Sequence, residues 1–471
     1  MNKHARLLGI LAGTVLLGSI VVISLIALSR FVDFGGSSPL GATYKQVASC
    51  SELAERMNKQ VYYPYYADGI DLAVPEAARD SVTTGAGSAE YSTTNVQVAG
   101  VDEADIIKTD GAYIYVATNN AVFIIDAEDP SLENYLAKID IEDDATARGL
   151  FVQGDNLVIF ADSYGYGVMP VLEMGMGMAD EEATISSRYQ NLTTVLVYDT
   201  SDVREPMLVR TTEVEGNYQT SRMIDQRVYI VGNYYPNYYQ NVSASEVEEL
   251  IPRISDSAGN KTAGQMAQCD QVALFGNEGR NFVTVVTLDL GDESFLGSQV
   301  LVGNAQTVYM SESSLVLAAT EYPSVETTEN WCSRMGMCPT PVTSQADPQT
   351  LLFKLGISTT GVDFAASGVV PGTLLNQFSL DEHSGYLRVV TTVDNWGVRQ
   401  DLSVNNLYVL DGSLGQVGAV EDLAMGERVY SARFMGDRAY MVTFQTIDPL
   451  FVIDLSNPED PKVLGELKIP G

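Results

Sequence analysis

The chain has 471 residues, with 27 Lys and Arg against 61 Asp and Glu and a formal net charge of −34, which excludes a nucleic-acid binder that works by neutralising phosphates on a basic face. At 45% hydrophobic and 9% aromatic the composition fills a core and is not that of a disordered chain. Only two histidines, His4 and His383, are present, so zinc sites built on imidazole and hydrolases built on a histidine base are poorly supplied.

The amino-terminal region reads as a membrane segment. Leu7 to Leu28 carries no charge, follows Lys3, His4 and Arg6, and precedes Arg30. At about 1.5 Å per residue it is long enough to span a bilayer as a helix. It exceeds the apolar core of a secretory signal, and Ile26 to Ser29 offer a poor cleavage site. The expectation is an uncleaved signal anchor over 7–28, with residues 1–6 in the cytoplasm and the bulk of the chain extracellular. Residues 29–90 then form a stalk, opened by Gly35 to Pro39, with one short helix near Cys50 to Gln60. In that helix Leu53 and Met57 stand four apart and form an apolar stripe suited to resting on the main domain.

An exterior location makes the four cysteines disulfide material. Cys332 and Cys338 enclose five residues and are expected to bridge. Cys50 and Cys269 are left to pair only if the stalk folds back onto the domain. Asn191, Asn241 and Asn260 open acceptor sequons for glycosylation.

From Asn95 onward the pattern is all-β: short β-branched and aromatic runs broken by Gly, Asn and Asp. A strand ending in Asp recurs at Val122 to Asp126, Val195 to Asp199, Val285 to Asp289, Leu407 to Asp411 and Phe451 to Asp454. Each closes a hairpin begun upstream, at Ala112 to Val116, Asn156 to Phe160, Arg227 to Val231, Gly385 to Val389 and Arg438 to Val442. A further upstream strand is read at Ser314 to Ala318. One hairpin with its flanking strands makes a small sheet that cannot bury both faces alone, and stacking such sheets around an axis solves this as a β-propeller. Insertions at Ser163 to Gln190, Asn233 to Arg280 and Tyr322 to Gln349 explain the long spacing, the second carrying a helix at Ser245 to Ile251. Counting hairpins gives six blades, and Val463 to Lys468 reads as the first strand of another, implying an incomplete ring.

The chemistry is sparse. Asp102, Glu103, Asp105 and Asp110 supply hard oxygens of the sort calcium uses, but no calcium loop is present, and turn and surface roles are the competing reading. Calcium is the one cofactor they would admit. The strand-end aspartates are expected to accept backbone N–H groups as Asx turns do. Met169, Met174, Met176, Met178, Met335 and Met337 form soft loops, read as flexible apolar contacts before copper ligands. His383 reads as a turn residue. Tyr62 to Tyr66 and the run containing Tyr234, Tyr235, Tyr238 and Tyr239 offer flat faces for binding glycans or proteins, or for packing on the propeller.

The stretch Tyr91 to Gly111 (YSTTNVQVAGVDEADIIKTDG) resembles the opening of a family of archaeal and bacterial secreted beta-propeller domain proteins, distantly related to WD40 repeats. Leu374 to Glu382, Gly385 to Val389, Gly426 to Phe444 and Asp448 to Leu455 resemble further blocks of that family in the same order. The resemblance places the propeller domain at 91–471. It implies a tethered or secreted propeller with no established catalytic activity. Family members continue beyond the segment Pro461 to Gly471, so the expectation is that this chain is a fragment of a longer ring. The functional expectation is a membrane-anchored extracytoplasmic module binding proteins or cell-surface polymers. The alternative is an exterior lyase or hydrolase using channel carboxylates.

Overall fold

The computed structural model describes residues 45–58, 96–128, 135–142, 144–164, 191–236, 241–258, 261–276, 280–292, 294–321, 348–394, 403–444 and 448–469. These residues build six sheets in chain order, antiparallel but for one short parallel pairing in the third. The first sheet is Ile107–Thr109, Tyr113–Ala117, Ala121–Asp126 and Ala137–Asp140. The second begins with Ala145–Gln153, Asn156–Tyr164, Asn191–Asp199 and Met207–Glu215, and the third is centred on Asn217–Ile224, Arg227–Tyr234, Phe282–Asp289 and Leu296–Val302. The fourth is Thr307–Met310, Ser314–Glu321, Gln349–Ser358 and Gly361–Pro371. The fifth is Leu380–His383, Tyr386–Val393, Val404–Leu410 and Gln416–Leu423, and the sixth Arg428–Met435, Arg438–Phe444, Asp448–Asp454 and Lys462–Ile469.

The recurring hairpin is therefore the second and third strand of each sheet. The strand-end aspartates act as expected: Asp126 accepts from the N–H of Glu128, Asp199 from Ser201, Asp289 from Gly291, Asp411 from Ser413 and Gly415, and Asp454 from Ser456, all at 2.8–3.0 Å. These amide bonds favour the ionised form, and they and the neighbouring serine hydroxyls hold the Asp199 and Asp454 carboxyls below their ordinary range. Tight turns close the first hairpins. In the fifth sheet Ser384 and Gly385 both have positive φ, 53° and 84°, the conformation a two-residue turn between twisted strands requires.

Neighbouring sheets pack face to face through five apolar clusters. Tyr115, Ile124 and Leu157 join the first sheet to the second, and Phe160, Val228 and Val286 join the second to the third. Val285, Leu317 and Phe353 join the third to the fourth, Val316, Leu387 and Tyr408 the fourth to the fifth, and Leu407, Met441 and Ile453 the fifth to the sixth. A single extended segment then fixes their geometry. Gln97 donates to the carbonyls of Gln377 and Leu380 at 3.0 Å, Gly100 lies against Glu312, and Asp102–Glu103 pairs with Arg222 and Met223. Asp105 bridges Leu150, and Ile107–Thr109 becomes the first strand of the first sheet. A dozen residues reach at most about 40 Å, so the inner edges of five sheets must converge on this segment. It lies where the propeller reading places the axis.

The insertion after Tyr234 ties two sheets together. Arg253–Asp256 and Lys261–Gln265 extend the second sheet, and Ala273–Leu274 runs parallel to Leu296–Val302 on the third. The chain segment at 45–58 docks on the same region. Lys45–Gln46 pairs with Ala273 and Leu274, and the helix Cys50–Met57 buries Leu53 and Met57 completely beside the helix Ala244–Glu249. A disulfide joins Cys50 to Cys269. The part of the expected stalk that is described is thus packed on the domain, and the docked strand covers a sheet edge that would otherwise be open.

Two expectations are corrected. No helix among the described residues is long and apolar enough to cross a membrane; the longer of the two, Cys50–Met57, has eight residues, where a span needs about 20. Leu7 to Leu28 itself lies outside the described residues. The transmembrane helix, the signal anchor, the single-pass membrane localisation and the membrane as partner are accordingly removed from the description. Secondly, Lys462–Ile469 does not open a new blade: it pairs antiparallel with Asp448–Asp454 and is the fourth strand of the sixth sheet.

Candidate functional site

Charged side chains gather around the axial segment, and each is paired. Lys108, almost fully buried, donates from Nζ to Asp102 Oδ1 at 2.6 Å and lies 5.6 Å from the Phe151 ring centre. Glu103 Oε1 lies 3.7 Å from Arg222 Nε, and Gln377 closes a ring of contacts by donating to Glu103 at 3.3 Å and accepting from Arg222 at 2.7 Å. Arg222 also donates to Thr220 Oγ1 and to the Ser221 carbonyl. Nearby, Asp162 accepts from Arg148 Nε and the Tyr218 N–H, both at 3.0 Å. Burial raises the Asp162 carboxyl above its usual range despite these partners, and pushes the Tyr218 hydroxyl up to about 12.

A second polar cluster staples the fourth sheet to the fifth. Glu382 accepts from Lys354 Nζ at 2.5 Å and Ser314 Oγ at 2.7 Å, with Ser311 Oγ bonded to the same oxygen as Ser314. Burial alone would raise this carboxyl; the ammonium and the hydroxyls outweigh it and leave Glu382 below its ordinary value. Neither cluster leaves two carboxylates unpaired and facing one another, the arrangement that glycoside hydrolysis by paired carboxylates uses.

A cavity of about 380 Å³ opens between the outer strands of the third and fourth sheets. These strands touch at Gly297 and Gly361. A Cβ on Gly297 would meet the Thr360 carbonyl at 2.7 Å, and Gly361 has φ +112°, so only glycine permits the approach. Beyond it they splay, and the docked segment and the third sheet's insertion complete the wall. Three amides line the cleft, each held at one end. Gln46 Nε2 donates to the Asp270 carbonyl at 2.6 Å, Gln271 Oε1 accepts from the Gln268 N–H at 2.9 Å, and Gln299 Nε2 donates to the Val362 carbonyl at 3.2 Å. The other end of each amide has no partner among the described residues. Phe364, 36% exposed, presents its ring beside Phe353 at 5.1 Å, and Asp363 adds one carboxylate.

Of the residues singled out in the sequence, Asp102 and Glu103 belong to the axial network. Asp105 accepts the N–H of Ile106, and Asp110 accepts those of Ala112 and Tyr113 and the Tyr115 hydroxyl. The four thus serve separate partners, and no cluster of three or more His, Cys, Asp or Glu fit to hold a metal occurs among the described residues. Tyr234 is buried and stacks on Phe282, whereas Tyr235 is half exposed near Asn304. Asn191 Nδ2 donates to Asn217 Oδ1 at 2.8 Å and Asn241 is exposed. His383 ends a strand 3.3 Å from Asp437. Cys332, Cys338, Asn260, Tyr238, Tyr239, the Tyr62 to Tyr66 run and the six loop methionines lie outside the described residues. The cleft amides come from three distant stretches, and no spacing in the sequence marks them.

Residues 91–471 match the family described as "Beta propeller domain". An uncharacterized protein of Methanocaldococcus jannaschii is 31% identical over 83% of this chain and 64% of its own length. One of Archaeoglobus fulgidus is 29% identical over 81% of this chain and likewise 64% of its own. The chain thus spans somewhat under two thirds of the curated relatives it matches. Among solved structures, a Synechocystis apocarotenoid oxygenase variant aligns over 77% of this chain and 71% of its own at TM-score 0.32 and 8% identity. Drosophila Plexin A in complex with Semaphorin 1b aligns over 78% and 79% at TM-score 0.30 and 7% identity. Likenesses this distant carry no argument about activity.

Proposed function

This chain belongs to the beta propeller domain family, and from that premise we propose that it is a binding module for a neutral, polyhydroxylated polymer such as a glycan, engaged in the cleft between the third and fourth sheets. The observation that carries this reading is the cleft's lining: amide groups fixed at one end and free at the other, beside an exposed aromatic ring. Free Oε1 and Nε2 atoms suit hydroxyls, which both donate and accept, and a ring face suits the apolar C–H face of a sugar. Asp363 disfavours anionic ligands. The competing enzymatic reading draws its support from carboxylates near the axis, but those are engaged by Lys108 and Arg222 and the segment 97–105 occupies that region.

Titration calorimetry of the chain with a panel of neutral oligosaccharides tests the proposal. Binding is expected, with Phe364→Ala and Gln299→Ala each weakening it by about tenfold or more. Binding untouched by both changes, or none across the panel, refutes the assignment.

A further inference from the structure

The cleft between the third and fourth sheets is chemically one-sided, because its own hydrogen bonds decide which atoms are left for a ligand. A backbone carbonyl only accepts. Gln46, bonded to the Asp270 carbonyl at 2.6 Å, and Gln299, bonded to the Val362 carbonyl at 3.2 Å, therefore both spend Nε2 and keep Oε1. A backbone N–H only donates, so Gln271 spends Oε1 on Gln268 and keeps Nε2. Asp363 adds a carboxylate that accepts one bond, from Thr360 Oγ1 at 3.3 Å, where an ionised carboxylate has room for about four. No Lys, Arg or His is among the residues lining the cleft. Two amide oxygens and a carboxylate thus stand against one amide nitrogen.

One strand sets part of this acceptor side in a row. In Gly361–Pro371, Val362 receives Gln299, Asp363 follows, and Phe364 comes next with its ring 36% exposed. The row is held in place from the turn before it: the Thr360 carbonyl lies where only a glycine, Gly297, permits contact with the third sheet, and the Thr360 hydroxyl is the group that bonds Asp363. A sugar hydroxyl brings one hydrogen and also accepts. A protonated amine brings three and accepts none, and it is drawn both to a carboxylate and to the electron-rich face of an aromatic ring. The chain's net charge of −34 adds a field of the same sense.

We propose that the polymer bound here carries a protonated amine on at least one otherwise neutral unit, as an amino sugar does, and that Asp363 selects for it, a specificity that rests on the reading of the cleft as a glycan site. Titration calorimetry of the full chain compares tetrasaccharides of N-acetylglucosamine and of N-acetylgalactosamine with the same tetrasaccharides freed of their acetyl groups, at a mildly acidic pH that keeps the amines protonated. The amine form of the better ligand should bind about tenfold more tightly than its acetylated form. In Asp363→Asn that preference should fall to about twofold or less, while the acetylated form binds as before, which also shows that the variant is folded. Glu466→Gln, on the exposed outer strand of the sixth sheet, makes the same change of net charge, −34 + 1 = −33, and should keep the preference. Equal affinity for the two forms overturns the amine specificity and leaves the glycan reading standing, whereas no binding of either form overturns both. The specificity is also overturned if the preference survives Asp363→Asn, if Glu466→Gln abolishes it as well, or if tetralysine binds as tightly as the amino sugar.

Discussion

Replacing Asp256 by Ala should be among the most damaging single changes in the described part of the molecule. Arg210 and Asp256 have side chains only 3% and 1% exposed. The guanidinium donates three times to the carboxylate, at 3.2, 3.2 and 2.6 Å, and also to the carbonyls of Phe295 at 2.9 Å and Asp289 at 3.4 Å in the third sheet. This pair therefore fastens the inserted strand Arg253–Asp256 to the second sheet and the second sheet to the third. Removing the carboxylate leaves a buried cation with carbonyl dipoles alone, which costs about 3–5 kcal/mol. Replacing both partners with apolar residues, Arg210→Met with Asp256→Leu, removes the charge together with its counter-ion, and is expected within about 1 kcal/mol of the parent. Urea unfolding followed by far-UV circular dichroism measures both, and a double-mutant cycle separates the pair from its surroundings. A single change costing under about 1 kcal/mol, or a double change costing the sum of the singles, would refute the argument.

The other expectations concern the docked segment, the inter-sheet staple and the buried axial carboxylate. Reducing the Cys50–Cys269 bridge, or Cys50→Ser, should speed hydrogen exchange across 45–58 and weaken ligand binding in the cleft, leaving exchange in the fifth and sixth sheets unchanged; equal loosening everywhere would contradict a local tether. Leu53→Ala, at a site with no exposure, should cost about 2–5 kcal/mol by the cavity it leaves, checked by the same denaturation assay. Glu382 has a lowered folded pKa, so its contribution is present above the unfolded value of about 4.3 and is lost as pH falls through the folded one. Melting temperature against pH should therefore flatten on the acid side in Glu382→Gln. Asp162 has a raised pKa and the opposite sign: its contribution is present below the unfolded value of about 3.9 and is lost as pH rises through the folded one. Asp162→Asn should remove that loss, and a steeper decline would contradict the assignment.

The hairpins were legible because their signal is local: a run of β-branched residues ending on an Asp that bonds the next turn. The fourth sheet shows how far this reaches, since Gln349–Ser358 occupies the third-strand place but ends on Ser and carries no such mark. Fourth strands such as Gln416–Leu423 mix polar and apolar residues at the edge and give a weak pattern. That is why Lys462–Ile469 read as a beginning when it is an end. Among the carboxylates, Asp102 finds Lys108 six residues on, whereas Glu103 depends on Arg222 and Gln377. Acids crowded in sequence looked like a ligand set, but Asp105 and Asp110 accept from neighbouring N–H groups, Asp102 is neutralised by Lys108, and Glu103 is met by residues of other sheets. Pairings over such separations have no periodicity to betray them.

The location of the cleft follows from where the chain tolerates additions. First and second strands are joined by tight turns, and third and fourth by Asp-anchored ones except in the fourth sheet, where Ser358 accepts from the Thr360 N–H, so lengthening either would break a bond that closes a hairpin. The connection from second to third strand carries neither restraint, and in the second, third and fourth sheets it is the long one: Tyr164 to Asn191, Tyr234 to Phe282 and Glu321 to Gln349. In antiparallel sheets stacked in the same sense these connections all leave from one end. The third sheet's insertion returns along the outer edge, meets the docked strand Lys45–Gln46, and supplies Met266 and Gln271 to the cleft wall opposite Phe364. Five of the thirteen lining residues are thus foreign to the repeating sheets, on segments held by a disulfide and one buried helix face. The regular sheets carry the apolar packing, and the cleft proposed as the binding site is walled in part by segments that the repeat does not specify.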